Sequence, residues 1–349
     1  MEDSGKALEK FGDLSLVASD DGSRFFSATH DEIRRGDVSD VYFLKTLHVL
    51  EAAGLAGTLV EADIHASDDG IFAGAEEAKR LLAGYGVRMR SLKEGDGMSA
   101  GETVMQLKGP YSKFCLHETA LLGMLASSSG WATAARACVE AAGKNIPVAC
   151  FASRHLHPAV APVMERAALI GGCDTASNIL GASLAGRDPR GTMPHSFILI
   201  VGDTLEASRL YLEHLKEAGP LVSLVDTLND EALEAVRQAV ELGPELYGVR
   251  LDTPKERGGV TPELVREVRA RLDQAGAPAV KIFVSGGVNP DKIPELAAAG
   301  TDAFGVGSYI SDANPIDMTL DLKSIAGRPV AKRGRIPGPA VNERLVEVL

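Results

Sequence analysis

From Pro147 onward the chain repeats one motif: a short apolar run rich in Val and Ile, a polar or glycine-containing loop, then a stretch of helical spacing. The runs are Pro147-Val-Ala-Cys-Phe151, Ser196-Phe-Ile-Leu-Ile-Val201, Leu221-Val-Ser-Leu-Val225, Tyr247-Gly-Val-Arg-Leu251, Val280-Lys-Ile-Phe-Val284 and Ala303-Phe-Gly-Val306. Continuous apolar runs of this length predict strands buried on both faces, the habit of parallel sheets. Thr261-Pro262-Glu263 and Asn289-Pro290-Asp291 each offer an N-cap followed by Pro at the first helical position. The helices they open are expected to stop near Gly276 and Gly300. The rhythm predicts an irregular α/β barrel over 113–324, with a doubly wound open sheet as the competing architecture.

The first third lacks this rhythm. Residues 1–22 are polar and patternless and read as an N-terminal arm. Over 23–112, Val41 to Ala53 has helical spacing, while Val87-Arg-Met-Arg-Ser91 and Thr103-Val-Met-Gln-Leu107 alternate as strands do. Glycines in Glu94-Gly-Asp-Gly97 and Ser99-Ala-Gly101 supply turns between those strands. This predicts a smaller α+β N-terminal domain. Phe114 to Gly143 reads as two apolar helical stretches broken at Ser127-Ser-Ser-Gly130. The segment Gly327-Arg-Pro-Val-Ala-Lys-Arg-Gly-Arg335 reads as a strand, and the C-terminal tail, 325–349, is expected to return to the small domain and complete it.

Acidic residues outnumber basic ones, 48 to 36, for a formal charge of -12. That disfavours a nucleic-acid partner, which would need a basic surface. The opening Met1-Glu2-Asp3-Ser4 carries no secretory apolar run, no stretch is long enough to span a membrane, and a cytoplasmic protein is expected. Cys115, Cys138, Cys150 and Cys173 form no CxxC pair, so buried free thiols are expected rather than zinc or disulfides.

In a parallel barrel, the residues just past each strand's C-terminal end share one mouth, where catalysis sits. Those positions hold Ser153, Arg154, His155 and His157; Asp226 and Thr227; Arg250, Asp252 and Thr253; Ser285, Gly286 and Gly287; and Gly305, Gly307 and Ser308. Glycine lets the backbone approach a ligand, and free amides at a helix start favour an anion, so the last two loops predict a phosphate site. Arg250 and Asp252 flank Leu251 and point the same way by the two-residue period. A guanidinium there can grip phosphate, and a carboxylate can hold sugar hydroxyls or Mg²⁺. Asp226 is a second candidate for metal-bound diphosphate.

Several segments resemble the nicotinate phosphoribosyltransferase family, a type II phosphoribosyltransferase, in its compact archaeal-type form. They are Ser39-Asp-Val-Tyr-Phe-Leu-Lys-Thr46, Phe151-Ala-Ser-Arg-His-Leu-His-Pro158, the Glu165 to Asn178 stretch, and Gly191-Thr-Met-Pro-His-Ser196. Agreement continues through Gly248-Val-Arg-Leu-Asp-Thr-Pro254, Val284-Ser-Gly-Gly287 and Phe304-Gly-Val-Gly-Ser308. The resemblance implies transfer of a phosphoribosyl group from phosphoribosyl diphosphate to nicotinate, giving nicotinate mononucleotide in NAD biosynthesis, with Mg²⁺ as cofactor. It also implies a homodimer, or a higher homo-oligomer, with shared active sites. By resemblance, Phe151 and Tyr42 of a partner subunit would sandwich the pyridine ring. Arg154 would bind substrate phosphate or carboxylate, Asp174 and Ser177 would line the ring pocket, and Arg250, Asp252 and Thr253 would hold the phosphoribosyl group. Ser285, Gly286, Gly287, Gly307 and Ser308 would cradle the 5′-phosphate. His195 matches a histidine that some members phosphorylate when they couple turnover to ATP. Compact relatives can carry a cysteine-rich zinc module after the segment corresponding to Lys332-Arg333-Gly334. No such cysteines follow here, so no zinc is expected. Asp252-Thr-Pro-Lys-Glu-Arg257 also departs from the Asp-Ser-Gly-Asp form of larger members, which leaves metal coordination and ATP coupling open.

Three alternatives stand beside this reading. One is quinolinate phosphoribosyltransferase, whose two-carboxylate substrate calls for a denser basic pocket. The second is a different phosphosugar-binding barrel enzyme, such as an isomerase or an aldolase with Lys281 as Schiff base. The third is a binding protein without catalysis.

Overall fold

The computed structural model describes residues 7–17, 24–215 and 219–349. Of the expected N-terminal arm, residues 1–6 and 18–22 lie outside this range, and Phe11–Leu16 forms a 3-10 helix. The chain divides into two compact units, 1–130 with 314–349, and 131–313.

The first unit is α+β. Its antiparallel sheet runs, in spatial order, Arg328–Pro329, Met318–Ile325, Leu59–Ala66, Thr103–Pro110, Arg88–Ser91, Val346–Glu347. The C-terminal tail thus supplies two of the six strands, Arg328–Pro329 and Val346–Glu347, and Met318–Ile325, expected within the barrel, belongs to this sheet as well. Leu59–Ala66 and Met318–Ile325 are pairing neighbours that carry no clear strand signal in the sequence. Their outward positions hold charges that ordinarily mark solvent, yet Asp63, Asp321 and Lys323 are buried. The returning tail satisfies them: Asp63 accepts from the Ala340 N–H at 2.8 Å and from Gln106 Nε2 at 3.0 Å, and Lys332 Nζ lies 2.8 Å from Asp321. Inward positions Val60, Ala62, Ile64 and Ala66 pack with Met89, Met105, Leu107 and Phe114.

The expected break at Ser127 to Gly130 is absent, and one helix spans Glu118–Ala142. The small residues serve close packing instead. A β-carbon on Gly130 would lie 2.3 Å from the Asn314 carbonyl oxygen, and Ser129 Oγ accepts from the Ala73 N–H at 3.1 Å.

The second unit is a parallel six-stranded half-barrel, in the order Thr175–Ala176, Val148–Cys150, Ala303–Val306, Lys281–Val284, Leu246–Leu251, Leu221–Leu224. Helices Ala161–Gly171, Glu231–Leu242 and Pro262–Gln274 pack against its apolar core. Thr261 caps the last of these, as expected, by accepting from the Leu264 N–H. The expected strand Ser196 to Val201 is a helix, His195–Val201, bounded by Pro194 and by Gly202 in the left-handed region. Period alone cannot separate a short apolar strand from a short helix, but Pro before and Gly after favour the helix. With no strand between its two ends, the sheet stays open among the described residues. All four cysteines are unpaired and buried, and burial pushes the Cys138 thiol up to about 12. No helix among the described residues is long and apolar enough to cross a membrane.

Candidate active site

Each of the six parallel strands ends within two residues of its neighbours. Cys150 sits beside Val306 and Ala176, Val284 beside Leu251 and Phe304, and Leu224 beside Arg250. The next residues therefore gather along one edge of the sheet, because parallel strands present all their C-terminal ends on the same side. Phe151, Arg154, Ser177, Asp226, Asp252, Gly286, Gly287, Gly307 and Ser308 all follow strand ends on that edge.

Two residues fall on the opposite edge. Asp174 precedes its strand and accepts from the Val148 N–H at 2.9 Å, where the neighbouring strand begins, so it does not line the ring pocket. Lys281 opens its strand, and its ammonium sits 2.9 Å from Asp302 Oδ1, which raises its pKa. A Schiff-base role at the mouth is excluded by that placement. Two further residues lie at the correct edge but are otherwise engaged. Thr253 is buried and donates to Glu231 Oε1 at 2.9 Å. Ser285 is buried, and its N–H extends the strand ladder to the Leu251 carbonyl at 2.9 Å, leaving no free amide for phosphate. Tyr42 belongs to the first unit, on helix Val41–Ala52, and is 56% exposed.

The two glycine loops differ from the expectation in detail. Gly286 and Gly287 both have left-handed φ, +84° and +68°, and a β-carbon on Gly286 would meet Asp252 Oδ1 at 2.8 Å. Asn289 caps as expected, its Oδ1 accepting from the Lys292 N–H at 3.1 Å, but Pro290 to Lys292 form a turn and the helix opens only at Ile293, so its amides are separated from the glycines. Lys292, which the sequence reading passed over, closes the loop instead, donating from Nζ to the Gly287 carbonyl at 3.1 Å. Gly305 lies inside its strand, where it forms a shelf for Phe151. A β-carbon there would come within 2.6 Å of two ring carbons. Gly307 gives the same close approach to His155, whose Cε1 would lie 3.0 Å from a β-carbon.

Charge concentrates around Arg250. Its side chain is 13% exposed, and its Nη2 lies 3.6 Å from Asp252 Oδ2 and donates to the Met193 carbonyl at 3.4 Å. Its Nε has no partner among the described residues. Burial holds the guanidinium below its usual pKa, with Arg154 pushing the same way and Asp252 and Asp226 opposing. Arg154 therefore contributes its charge to the same mouth. Asp226 has a fully buried side chain, and neither carboxylate oxygen has a hydrogen-bond partner among the described residues. Burial raises its carboxyl above the usual range, His195 opposes that shift, and Asp252 adds to it. The His195 imidazole bridges the group, with Nδ1 2.9 Å from Thr227 Oγ1 and Nε2 3.7 Å from Asp252 and 4.0 Å from Asp226. An under-bonded buried guanidinium beside an unpartnered carboxylate suits a ligand that brings both anionic oxygens and a cation. Among the described residues no three His, Cys, Asp or Glu side chains are arranged to hold a metal by themselves. Mg²⁺ needs only one or two carboxylates when phosphates and waters complete its shell, so Asp226 and Asp252 fit Mg²⁺ carried in with a diphosphate.

Glu165 is the other residue that the sequence reading passed over as a functional group. It is the lone carboxylate on the buried face of helix Ala161–Gly171 and is fully buried. A single acid among Ala, Met and Leu at helical spacing was the available signal.

Comparison with known proteins adds a second line. Residues 40–129 match the quinolinate phosphoribosyl transferase N-terminal domain, and residues 131–321 match the C-terminal domain of the same family. A probable nicotinate-nucleotide pyrophosphorylase (carboxylating) of Methanothermobacter thermautotrophicus is 28% identical over 272 residues, covering 77% of this chain and 90% of that protein. A nicotinate phosphoribosyltransferase of Mycobacterium tuberculosis is 32% identical over 277 residues, 76% of this chain, which spans only 58% of that protein. The crystal structure of nicotinate-nucleotide pyrophosphorylase from Pyrococcus furiosus superposes with a TM-score of 0.86 at 44% identity, covering 91% of this chain and 82% of that one.

Proposed function

The chain belongs to the quinolinate phosphoribosyl transferase family, and from that premise we propose that it joins quinolinate to phosphoribosyl diphosphate, releasing diphosphate and carbon dioxide and leaving nicotinate mononucleotide. The expectation of a nicotinate phosphoribosyltransferase is corrected by the two domain matches, both to the quinolinate family. The archaeal carboxylating pyrophosphorylases and the Pyrococcus structure favour the same correction. Quinolinate, the alternative reading, takes its place.

The observation that carries the proposal is the presence, at one sheet edge, of the Asp226 carboxylate, which lacks a hydrogen-bond partner among the described residues, and the under-bonded Arg250 guanidinium, whose neighbour Asp252 lies against the Gly286 loop. As diphosphate leaves, the ribose carbon becomes oxocarbenium-like, so the site must neutralise the leaving group and align the ring nitrogen. Arg250 grips anionic oxygens. Asp226 and Asp252 would hold Mg²⁺, whose chemistry is to neutralise the departing diphosphate. Gly286, Gly287, Gly307 and Ser308, with Lys292, surround the 5′-phosphate, and Phe151 on its Gly305 shelf meets the flat ring. Arg154 faces the ring carboxylates. Once the ring nitrogen is bonded to ribose it carries positive charge, which stabilises the electron pair left on the adjacent carbon when carbon dioxide departs; that carbon then takes a proton. His195 faces two carboxylates through Nε2, a setting that disfavours a phosphoryl group, so we assign it to holding them rather than to an ATP-dependent step. Within the same proposal, Tyr42 of a second subunit covers the ring, which requires at least a dimer.

Incubation with phosphoribosyl diphosphate, Mg²⁺ and, separately, quinolinate, nicotinate and nicotinamide tests this. Carbon dioxide and diphosphate should appear in equal amounts with quinolinate. Diphosphate release with nicotinate alone would overturn the assignment.

A further inference from the structure

Resting on the phosphoribosyltransferase reading, we infer that Glu165 is a positioning residue for the pyridine-acid half of the site, acting through the two loops that it ties together. Its Oε1 accepts from the Ser153 N–H at 3.2 Å, from Ser153 Oγ at 2.7 Å and from Ser177 Oγ at 3.0 Å. Its Oε2 accepts from the Asn178 N–H at 2.6 Å. Two donors follow the Val148–Cys150 strand and two follow Thr175–Ala176, so one buried carboxylate locks adjacent loops at the mouth. Ser153 opens the 3-10 turn Ser153–His155 that carries Arg154, and Phe151 lies two residues before it. The helix below is pressed close: a β-carbon on Gly181 would lie 3.1 Å from Glu165 Cβ and 3.0 Å from the Pro162 carbonyl oxygen. Glu165 therefore has little room to swing away. It touches no expected substrate position itself. Its effect is to set where Arg154 and Phe151 stand relative to Ser177.

The hydrogen-bond pattern also explains why the group must be a carboxylate. A backbone N–H points at each oxygen. An amide in either orientation would set its NH₂ against one of those N–H groups, and backbone donors cannot reverse as hydroxyls can. Glu165→Gln thus releases one loop while preserving size. The loosened loop carries ring-contacting groups, whereas the phosphate loops and Arg250 lie on other strands.

The test is steady-state kinetics of wild type, Glu165→Gln and Ser153→Ala, varying the pyridine acid and phosphoribosyl diphosphate separately. The acid used is whichever of quinolinate and nicotinate the wild type turns over. Glu165→Gln is expected to raise KM for the acid by on the order of tenfold, with KM for phosphoribosyl diphosphate within about twofold. Ser153→Ala, which removes one donor and keeps the backbone bond, should shift the same KM in the same direction by less. If Glu165→Gln does not fold, the Ser153→Ala split decides. A fall in active fraction or kcat with both KM values unchanged in the variants would make Glu165 merely structural and overturn the inference. The wild-type acid preference separately decides whether the quinolinate reading stands.

Discussion

Replacing Asp226 by Asn is expected to strengthen the fold while abolishing most of the activity. The Asp226 side chain is fully buried, and neither carboxylate oxygen has a hydrogen-bond partner among the described residues. An unpaired buried carboxylate costs several kcal/mol even after local relaxation, on the order of what breaking a buried ion pair costs. The half-exposed His195 imidazole, 4.0 Å away, returns part of that cost. The raised carboxyl pKa indicates that burial outweighs that return. Asn removes the charge but keeps a polar group to bury, so the net gain should be about 1 kcal/mol. The sign with pH follows from the same shift. A folded carboxyl that holds its proton more tightly than the unfolded one, near about 3.9, weakens the fold when ionised and ceases to do so below that value. The advantage of Asp226→Asn should therefore be present at about pH 8 and vanish by about pH 3.5. Urea unfolding at both pH values, with diphosphate release at the higher one, measures the two effects, the activity falling by on the order of 100-fold or more. A variant less stable than wild type at the higher pH would show that the charge stabilises the fold through its neighbours His195 and Arg250. The reason for placing Mg²⁺ and diphosphate there would then disappear.

Other substitutions probe neighbouring parts of the site. In Gly305→Ala the new carbon would lie 2.6 Å from the Phe151 ring, so the ring must yield by about 1 Å to reach ordinary contact. Because the ring can swing toward the mouth, thermal unfolding should record a cost at the low end of about 1–3 kcal/mol, while kcat/KM for the pyridine acid falls by up to about 100-fold. Arg250→Ala should lower kcat/KM by on the order of 1000-fold with circular dichroism unchanged, and retained turnover would remove Arg250 from the mechanism. Lys281→Met, which loses only the exposed pair with Asp302, should leave turnover within about twofold of wild type. Borohydride trapping in the presence of substrate should leave no adduct at Lys281.

Much of the site was legible because its signals are local. The two-residue period put Arg250 and Asp252 on one side, and they are 3.6 Å apart. Consecutive glycines marked the Gly286 loop, whose left-handed φ values require them. The failures are equally specific. Asp174 sits beside motif residues in sequence, but a strand begins directly after it, so it points to the far edge. Thr253 and Ser285 follow strand ends, yet each is spent on a neighbour that chain position cannot reveal. Glu165 is a helix residue whose four donors, from three residues, belong to two loops.

By itself the sequence determined the alternation of strand and helix, the parallel sheet that follows from buried apolar runs, and the edge on which chemistry collects. Those properties depend on periodicity and backbone preference within a few residues. Pro194 and Gly202 favour the helix His195–Val201 locally, but only tertiary structure decided that the half-barrel stays open among the described residues and that charged strands could be buried beneath the returning tail. It also decided which polar groups are already satisfied and which, like Asp226 and Arg250 Nε, are not among the described residues. A side chain's free valence depends on what distant segments bring to it, and that is set by register and packing across strands.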